Sequence, residues 1–512
     1  MRIVNSIRNS SVGLVVHISI MILNFISRTY FVRLLGTEYL GINGLFTNII
    51  SMLNLAELGV GSAITYTLYK PLALGDKSKV ATIMGVYKKI YYKIGTVVLG
   101  IGIALIPFLN LFINGMYDKN IVLIFLLFLI DTIISYFLGY KRTILEADQK
   151  IYILKLVNFV QQLASNILAI VILILTKNYV LYLLMRILVH ILEDIFIIKI
   201  VENRYSYISY VTRTEFSLEE KKELSKNIKA LFLHKIGGYF IFSTDNLIIS
   251  KFISISTVGI FSNYTLIIES INGVIKQIIN NISASYGNLI AKESHDKKFD
   301  IYNKIMFLNF WIGGVSAITL FCLINPFITL WIGNEYTFDV KIVIVMVINF
   351  YILSMRMSIN IPRTTAGLFF NDRYVCLIEA AINIITSIIL VNKIGIIGVL
   401  LGTTITAISV QFITVPYLCY KHIFKRPLKE YYIRYFSYFM TTLVTAIITY
   451  FICSININSN SYIKFLYKVV VCVIVPNVIF LCRYIKLEEF KYYIQLLKVI
   501  WRKYKIINNI SN

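Results

Sequence analysis

The residues able to do chemistry in this 512-residue chain are ionisable side chains set inside long apolar segments. In the first half these are Arg28, Glu57, Asp131, Arg186, His190, Glu193 and Asp194; in the second, His234, Lys235, Asp245, Glu269, Lys276, Arg356 and Glu379. An ionisable group at membrane depth costs about 2.5 to 3.5 kcal/mol on insertion scales, so those that remain pair, face water, or do both. A guanidinium grips phosphate oxygens through two N–H groups, and an ammonium acts as a mobile point charge. Arg28, Arg186, Lys235, Lys276 and Arg356 would suit a cationic cavity for an anionic substrate. Glu57 and Asp245 are the candidates for exchanging a proton or a sodium ion, with no other cofactor expected. Structural ion pairs look identical in sequence, so local pairing stands beside the functional reading.

Enzyme chemistry has no comparable support. The chain holds no Walker A loop, no HExxH, no GxSxG and no Cys/His metal spacing. Its six cysteines, Cys322, Cys376, Cys419, Cys453, Cys472 and Cys482, sit singly in apolar segments and read as buried apolar side chains. The few histidines, His17, His190 and His234 among them, lie on different segments and read as packed helix residues.

The elements that must position these charges are transmembrane helices. Hydrophobic residues make up 58% of the chain and charged ones 15%, with a mean hydropathy of +0.75, a balance that excludes a soluble core. Apolar runs of roughly 20 residues, enough to cross a bilayer, start near Ser11, Tyr39, Ile90, Ile121, Ile151, Tyr179, Ile228, Thr257, Tyr302, Val340, Tyr374, Ile394, Tyr431 and Tyr462, giving about fourteen spans. The first is expected to stay in the protein, since no small-residue cleavage site follows it. Most of the 50 Lys and Arg fall on alternate connections, such as Lys70 to Lys89 and Lys141 to Lys155, which places both termini in the cytoplasm. The net charge of +24 then reflects orientation and anionic headgroups rather than nucleic acid.

Internal repetition orders the spans. Arg33 to Leu74 returns, diluted, about 218 residues later, with Gly41 and Thr47 in register with Gly259 and Thr265. A short turn is expected at Gly36 to Gly41, between the first two helices. In this register Arg28 falls beside Asp245, and Glu57 beside Lys276, so related positions carry opposite charges. The expected division is a lobe over 1–215, a second over 216–430, and an appendage over 431–512 with two further spans. The hydrophilic stretch Glu202 to Lys229 joins the lobes and carries Ser217 and Glu220 at capping-box spacing. The tail places Leu487, Phe490, Ile494, Leu497 and Trp501 at steps of three and four, the pattern of an interfacial helix.

Specific motifs point to a family. LLGTEYLGINGLFTNII from Leu34, LAELGVGSAI from Leu55, LYKPLA from Leu68, NIPRTTAGLF from Asn360, NDRY from Asn371, GIIGVLLGT from Gly395 and PYLCYK from Pro416 resemble the bacterial polysaccharide-export flippases of the Wzx type, within the multidrug/oligosaccharidyl-lipid/polysaccharide exporter superfamily. The resemblance implies an all-α polytopic membrane protein with two pseudo-symmetric six-helix lobes, two extra C-terminal helices and a central cavity that opens alternately to either side. It implies flipping of undecaprenyl-pyrophosphate-linked oligosaccharide repeat units from the cytoplasmic to the outer leaflet of the bacterial cytoplasmic membrane, for capsule or exopolysaccharide assembly. Its partners would be that lipid-linked oligosaccharide, membrane lipids, and a glycan polymerase and other assembly proteins. The first, second, seventh and eighth helices line the cavity in such proteins; Arg28, Glu57, Lys235, Asp245 and Lys276 match those helices. Arg28 resembles a cavity arginine of the related lipid II flippases.

Three rival readings remain. A cation-coupled drug antiporter of the same superfamily is set against a cavity expected to be dominated by Arg and Lys. A membrane glycan polymerase or acyltransferase would need a catalytic group in a sizeable outer loop, and the outer connections are short and lack histidine. A scaffold within a glycan-assembly complex would leave the buried charges unexplained.

Overall fold

The computed structural model describes residues 2–57, 60–113, 119–209, 244–368, 374–455 and 459–511. Among them every long element is a helix, and 11 helices are long and apolar enough to cross a membrane. Lipid offers no hydrogen-bond partner to an exposed peptide group, so each crossing segment satisfies its backbone internally as a helix. The protein is an all-α, multi-pass membrane protein. The expected span near Ile228, Lys235, His234 and the capping box at Ser217 lie outside the described residues.

The chain divides into two compact units, Met1–Asn263 with Cys376–Gly402, and Tyr264–Val375 with Thr403–Asn512. The first begins with α1 (Arg2–Leu53) and α2 (Val60–Leu74), joined through a 3-10 turn at Asn54–Glu57. It continues with α3 (Lys77–Leu105), α4 (Lys119–Gly139), the short α5 (Arg142–Ala147), α6 (Ile151–Thr176), α7 (Tyr179–Arg204) and a helix α8 over 244–252. The turn expected over Gly36 to Gly41 is concentrated in Gly36, whose φ of 83° and ψ of −179° break α1 into two helical segments. Only a residue without Cβ takes that φ cheaply, so the direction changes in one residue and the helix resumes at once.

The start of α9 (Ile255–Lys292) crosses α1 in this first unit. A Cβ on Gly41 would stand 1.9 Å from the Ile255 carbonyl oxygen, and one on Gly259 would stand 2.1 Å from that of Thr37. The Thr37 and Ser256 hydroxyls hydrogen-bond alongside at 2.9 Å. In lipid there is no hydrophobic drive between helices, and close backbone approach with small residues supplies the packing instead. Gly41 and Gly259, in register in the sequence, thus meet face to face.

The second unit contains α10 (His295–Trp331), α11 (Val340–Thr365), α15 (Lys429–Cys453), α16 (Ser461–Tyr484) and α17 (Glu488–Ser511); α12 (Val375–Ile394), α13 (Ile396–Ser409) and α14 (Gln411–Cys419) complete the chain. Phe310 on α10 stacks on Tyr438 of α15 (4.2 Å) and Phe480 of α16 (4.8 Å), and Trp311 donates to Asn477 at 2.8 Å. Asn309, fully buried, donates to the Ser354 carbonyl across to α11. The tail helix α17 is held through Phe490 stacked on Trp311, Tyr493 donating to the Lys304 carbonyl, and Glu489 paired with Arg434.

Candidate functional site

The polar residues of the first unit converge because α7 is too charged to be an ordinary span. It is 26 residues long, yet it carries Arg186, His190, Glu193 and Asp194 along its middle. Steps of three and four put Arg186, His190, Glu193 and Asp194 on neighbouring turns, so most of one face is ionisable. That face cannot meet lipid, and it lines two cavities.

The larger cavity, about 630 Å³, is lined by Asn54, Glu57, Tyr87, Tyr91, Asp131, Ser135, Tyr136, Arg142, Glu146, His190 and Asp194 among others. The second, about 510 Å³, shares Asn54, Asp131, Thr132, Arg142 and His190 with it and adds Asn43, Thr47, Asn158, Gln161, Arg186 and Glu193. Both volumes lie in the range of small-molecule sites.

Arg142 is the hub. Its Nε and Nη2 both donate to Asp194 Oδ1, at 3.1 and 2.7 Å, and Nη2 lies 3.3 Å from Glu193 Oε1, out of line for a hydrogen bond. Asp194 is 1% exposed and Glu193 7%, so one guanidinium holds two buried carboxylates. His190 Nδ1 lies 2.8 Å from Asp131 Oδ1, and its Nε2 lies 3.4 Å from Ser135 Oγ and 3.8 Å from Asp194 Oδ2. The tautomer decides which of these contacts His190 donates. Elsewhere in the lining Tyr91 donates to Glu57, Tyr136 donates to Asn54 Oδ1 (2.8 Å), and Thr143 donates to Tyr87 Oη (3.1 Å).

Acids outnumber bases in the larger cavity: Glu57, Asp131, Glu146 and Asp194 face Arg142 and His190. Of the expected cavity cations among the described residues, none lines this cavity and Arg186 lines the second. The acid excess comes from Glu57, Asp131 and Asp194, whereas α5, within the expected basic loop Lys141 to Lys155, brings one charge of each sign, Arg142 and Glu146.

Arg28 and Arg186 come together. Arg28 on α1 donates to Ser262 Oγ at 3.0 Å and lies within electrostatic reach of Arg186, Tyr179 and Tyr182. Arg186 donates to Tyr182 Oη at 3.2 Å and reaches the second cavity. The other sequence candidates fall elsewhere. Lys276 is exposed and pairs with Glu269 on its own helix at 3.4 Å, while Glu57 has Tyr91; each of these two charges has a local partner. Arg356 is half-buried on α11, electrostatically coupled to Tyr435 in the second unit. Asp245 lies half-buried on α8.

A model of polysaccharide biosynthesis proteins matches residues 6–284, more than half of the chain. The chain belongs to this family. No curated protein matches the chain in sequence. Among solved structures, this polysaccharide biosynthesis protein is similar to the lipid II flippase MurJ in an inward closed conformation, with 16% identity, 92% of this chain and 98% of that one covered, and a TM-score of 0.69. It is also similar to an inward-facing multidrug resistance MATE family transporter of the MOP superfamily (16% identity, 77% and 95% covered, TM-score 0.58). A variant of the Vibrio cholerae MATE transporter VcmN follows at 11% identity, 80% and 95% covered, with a TM-score of 0.55. At these identities the likeness establishes the fold, and the neighbours are transporters rather than enzymes.

Sequence reasoning had no reason to select Arg142, Glu146, Tyr91 or Gln161. The one available signal was Arg142 and Glu146 at i and i+4 on a segment too short to span a membrane. Asp131, His190, Glu193 and Asp194 were visible as charges at membrane depth, without any sign that they share one site.

Proposed function

We propose that this protein flips a lipid-linked oligosaccharide, the undecaprenyl-pyrophosphate-linked repeat unit of a surface polysaccharide, from the cytoplasmic to the outer leaflet of the bacterial cytoplasmic membrane. The observation carrying this reading is the Arg28 and Arg186 pair. Two positive charges stand near each other among hydroxyl groups, and among the described residues neither has a carboxylate at ion-pair distance. Cations at membrane depth are costly without an anion. A pyrophosphate supplies several acceptor oxygens with the geometry that guanidinium groups bind best.

The neighbouring amides and hydroxyls suit sugars. Asn43, Thr47, Asn158 and Gln161 line the same cavity as Arg186 and substitute for water that bare sugars would lose in hydrocarbon. In the second unit an apolar pocket of about 260 Å³, lined by Phe321, Ile348, Tyr351, Phe439 and Leu443, suits a segment of the isoprenoid tail. The acidic wall then serves the coupling cation, a proton or sodium, with Glu57 in the cavity and Asp245 the other candidate. The lobes over 1–215 and 216–430, with both termini cytoplasmic, are the bodies we propose to rock in alternating access.

Removing Arg28 or Arg186 deletes a charge-assisted contact of about 1.5 to 3 kcal/mol, roughly ten- to a hundredfold in transport. Export of surface glycan by cells carrying Arg28→Ala or Arg186→Ala should fall by at least about tenfold at equal protein level. Near-normal export by both variants would remove the anion-binding role.

The acidic wall also favours a second reading, a cation-expelling antiporter. Depletion of the protein, followed by analysis of lipid-linked intermediates, separates the two. Accumulation of the complete repeat unit on the cytoplasmic leaflet supports the flippase. Intact glycan export with altered drug resistance supports the antiporter.

A further inference from the structure

The six cysteines do not behave alike. Cys482 is exposed on its helix, whereas the other five are buried. Three of those five, Cys322 on α10, Cys453 on α15 and Cys472 on α16, place their sulfur atoms within 4.8 Å of one another, with Cys453 and Cys472 3.9 Å apart. They lie 131 and 19 residues apart along the chain (453 − 322 and 472 − 453), so helix packing alone assembles them. We infer that Cys322, Cys453 and Cys472 form a trigonal thiolate site for a soft, thiophilic cation of the Cu(I) class.

The spacing fits the chemistry. A metal about 2.3 Å from each of three sulfurs arranged as a triangle sets them about 4.0 Å apart, close to the Cys453–Cys472 separation. Thiolates select soft ions over Mg²⁺ or Ca²⁺. Structural zinc sites take four ligands, and no fourth His, Cys, Asp or Glu joins this cluster among the described residues. A soft monovalent ion that accepts three sulfurs is the better match.

Entry and charge are also provided for. Cys453 is the last residue of α15, directly followed by the exposed Ser454 and Ile455, so an ion has a short path from the helix end. Binding releases the thiol protons along the same path to water. Lys468, one turn before Cys472 on α16, acts electrostatically on both Cys453 and Cys472 and offsets part of the negative charge of a thiolate triad. A bound ion would staple the two C-terminal helices to α10 with bonds stronger than side-chain packing.

The test uses the purified, reduced full-length protein in detergent under anaerobic conditions, with Cu(I) supplied from a chromophoric chelator. The protein is expected to withdraw one Cu(I) per chain. Cys322→Ser, Cys453→Ser and Cys472→Ser should each weaken that withdrawal by at least tenfold, while the triple variant Cys376→Ser, Cys419→Ser, Cys482→Ser should retain it. Thermal unfolding of each metal-free variant identifies any that fails to fold, and Cys322→Ala replaces the serine there. No withdrawal by the parent protein, or full withdrawal by the Cys322 variants, would overturn the inference.

Discussion

Gly259→Val should abolish glycan export and lower the thermal stability of the protein in detergent. A Cβ on Gly259 falls 2.1 Å from the Thr37 carbonyl oxygen and 3.2 Å from the Gly41 nitrogen, both rigid helix backbone. Ordinary contact needs more than about 3 Å, so α1 and α9 must part by an ångström or more. Overpacking of this kind costs about 1 to 3 kcal/mol when neighbours can shift, and more when the obstacle is backbone. Parting the helices would also break the Thr37–Ser256 hydrogen bond and move Ser262 away from Arg28. Gly41→Val should behave alike, its Cβ meeting the Ile255 carbonyl at 1.9 Å. Gly85→Ala and Gly100→Ala, where a Cβ meets nothing within 4 Å, are the controls and should export normally. Normal export and melting by Gly259→Val would show that the crossing is not as tight as described.

Arg142→Leu is the second large effect. It leaves Glu193 and Asp194 buried with their guanidinium gone, and breaking a buried pair by removing one partner costs about 3 to 5 kcal/mol. The expected result is a marked drop in thermal stability together with loss of export. Arg142→Lys should recover only part, because an ammonium cannot place two N–H groups on Asp194 Oδ1 while reaching Glu193. The double variant Arg142→Leu, Asp194→Leu should be more stable than Arg142→Leu alone, since it removes the more deeply buried orphaned carboxylate. A double variant no better than the single one would mean that Arg142 acts through something other than this ion pair. Export separates stability from function: restored melting without restored export assigns the network to the transport site.

The repeat offers a direct view of what sequence reading reaches. Gly41 and Gly259 stand in register in the sequence, and the structure sets them against each other on crossing helices. The register also suggested an electrostatic arrangement between related positions. Of the charges it relates, Glu57 accepts from Tyr91 and Lys276 pairs with Glu269, each a local partner. Glycine register survives as structure because backbone approach is shared by both members of a crossing. A charge finds whichever partner its own rotamer reaches.

Most of the expected spans, among them those starting near Ile121, Ile151, Val340, Tyr431 and Tyr462, fall on helices long and apolar enough to cross a membrane, because about 20 consecutive apolar residues have no stable place outside lipid. Helix α7, expected from Tyr179, is too charged to be one of them. The basic connections were legible as non-spanning for the same reason, except where a short helix turned inward. Arg142 and Glu146 stand on such a helix. Their six-residue segment carries no apolar pattern long enough to report its depth.

Helix class, span positions and the list of charges at membrane depth were thus determined by sequence alone, since hydropathy is summed along the chain and needs no knowledge of neighbours. Tertiary structure decided which of those charges share a cavity, that its wall is mainly acidic, and that Cys322, Cys453 and Cys472 meet. The physical reason is rotation: which face of a helix looks inward depends on how it packs against helices distant in sequence, as α1 does on α9 through two glycines.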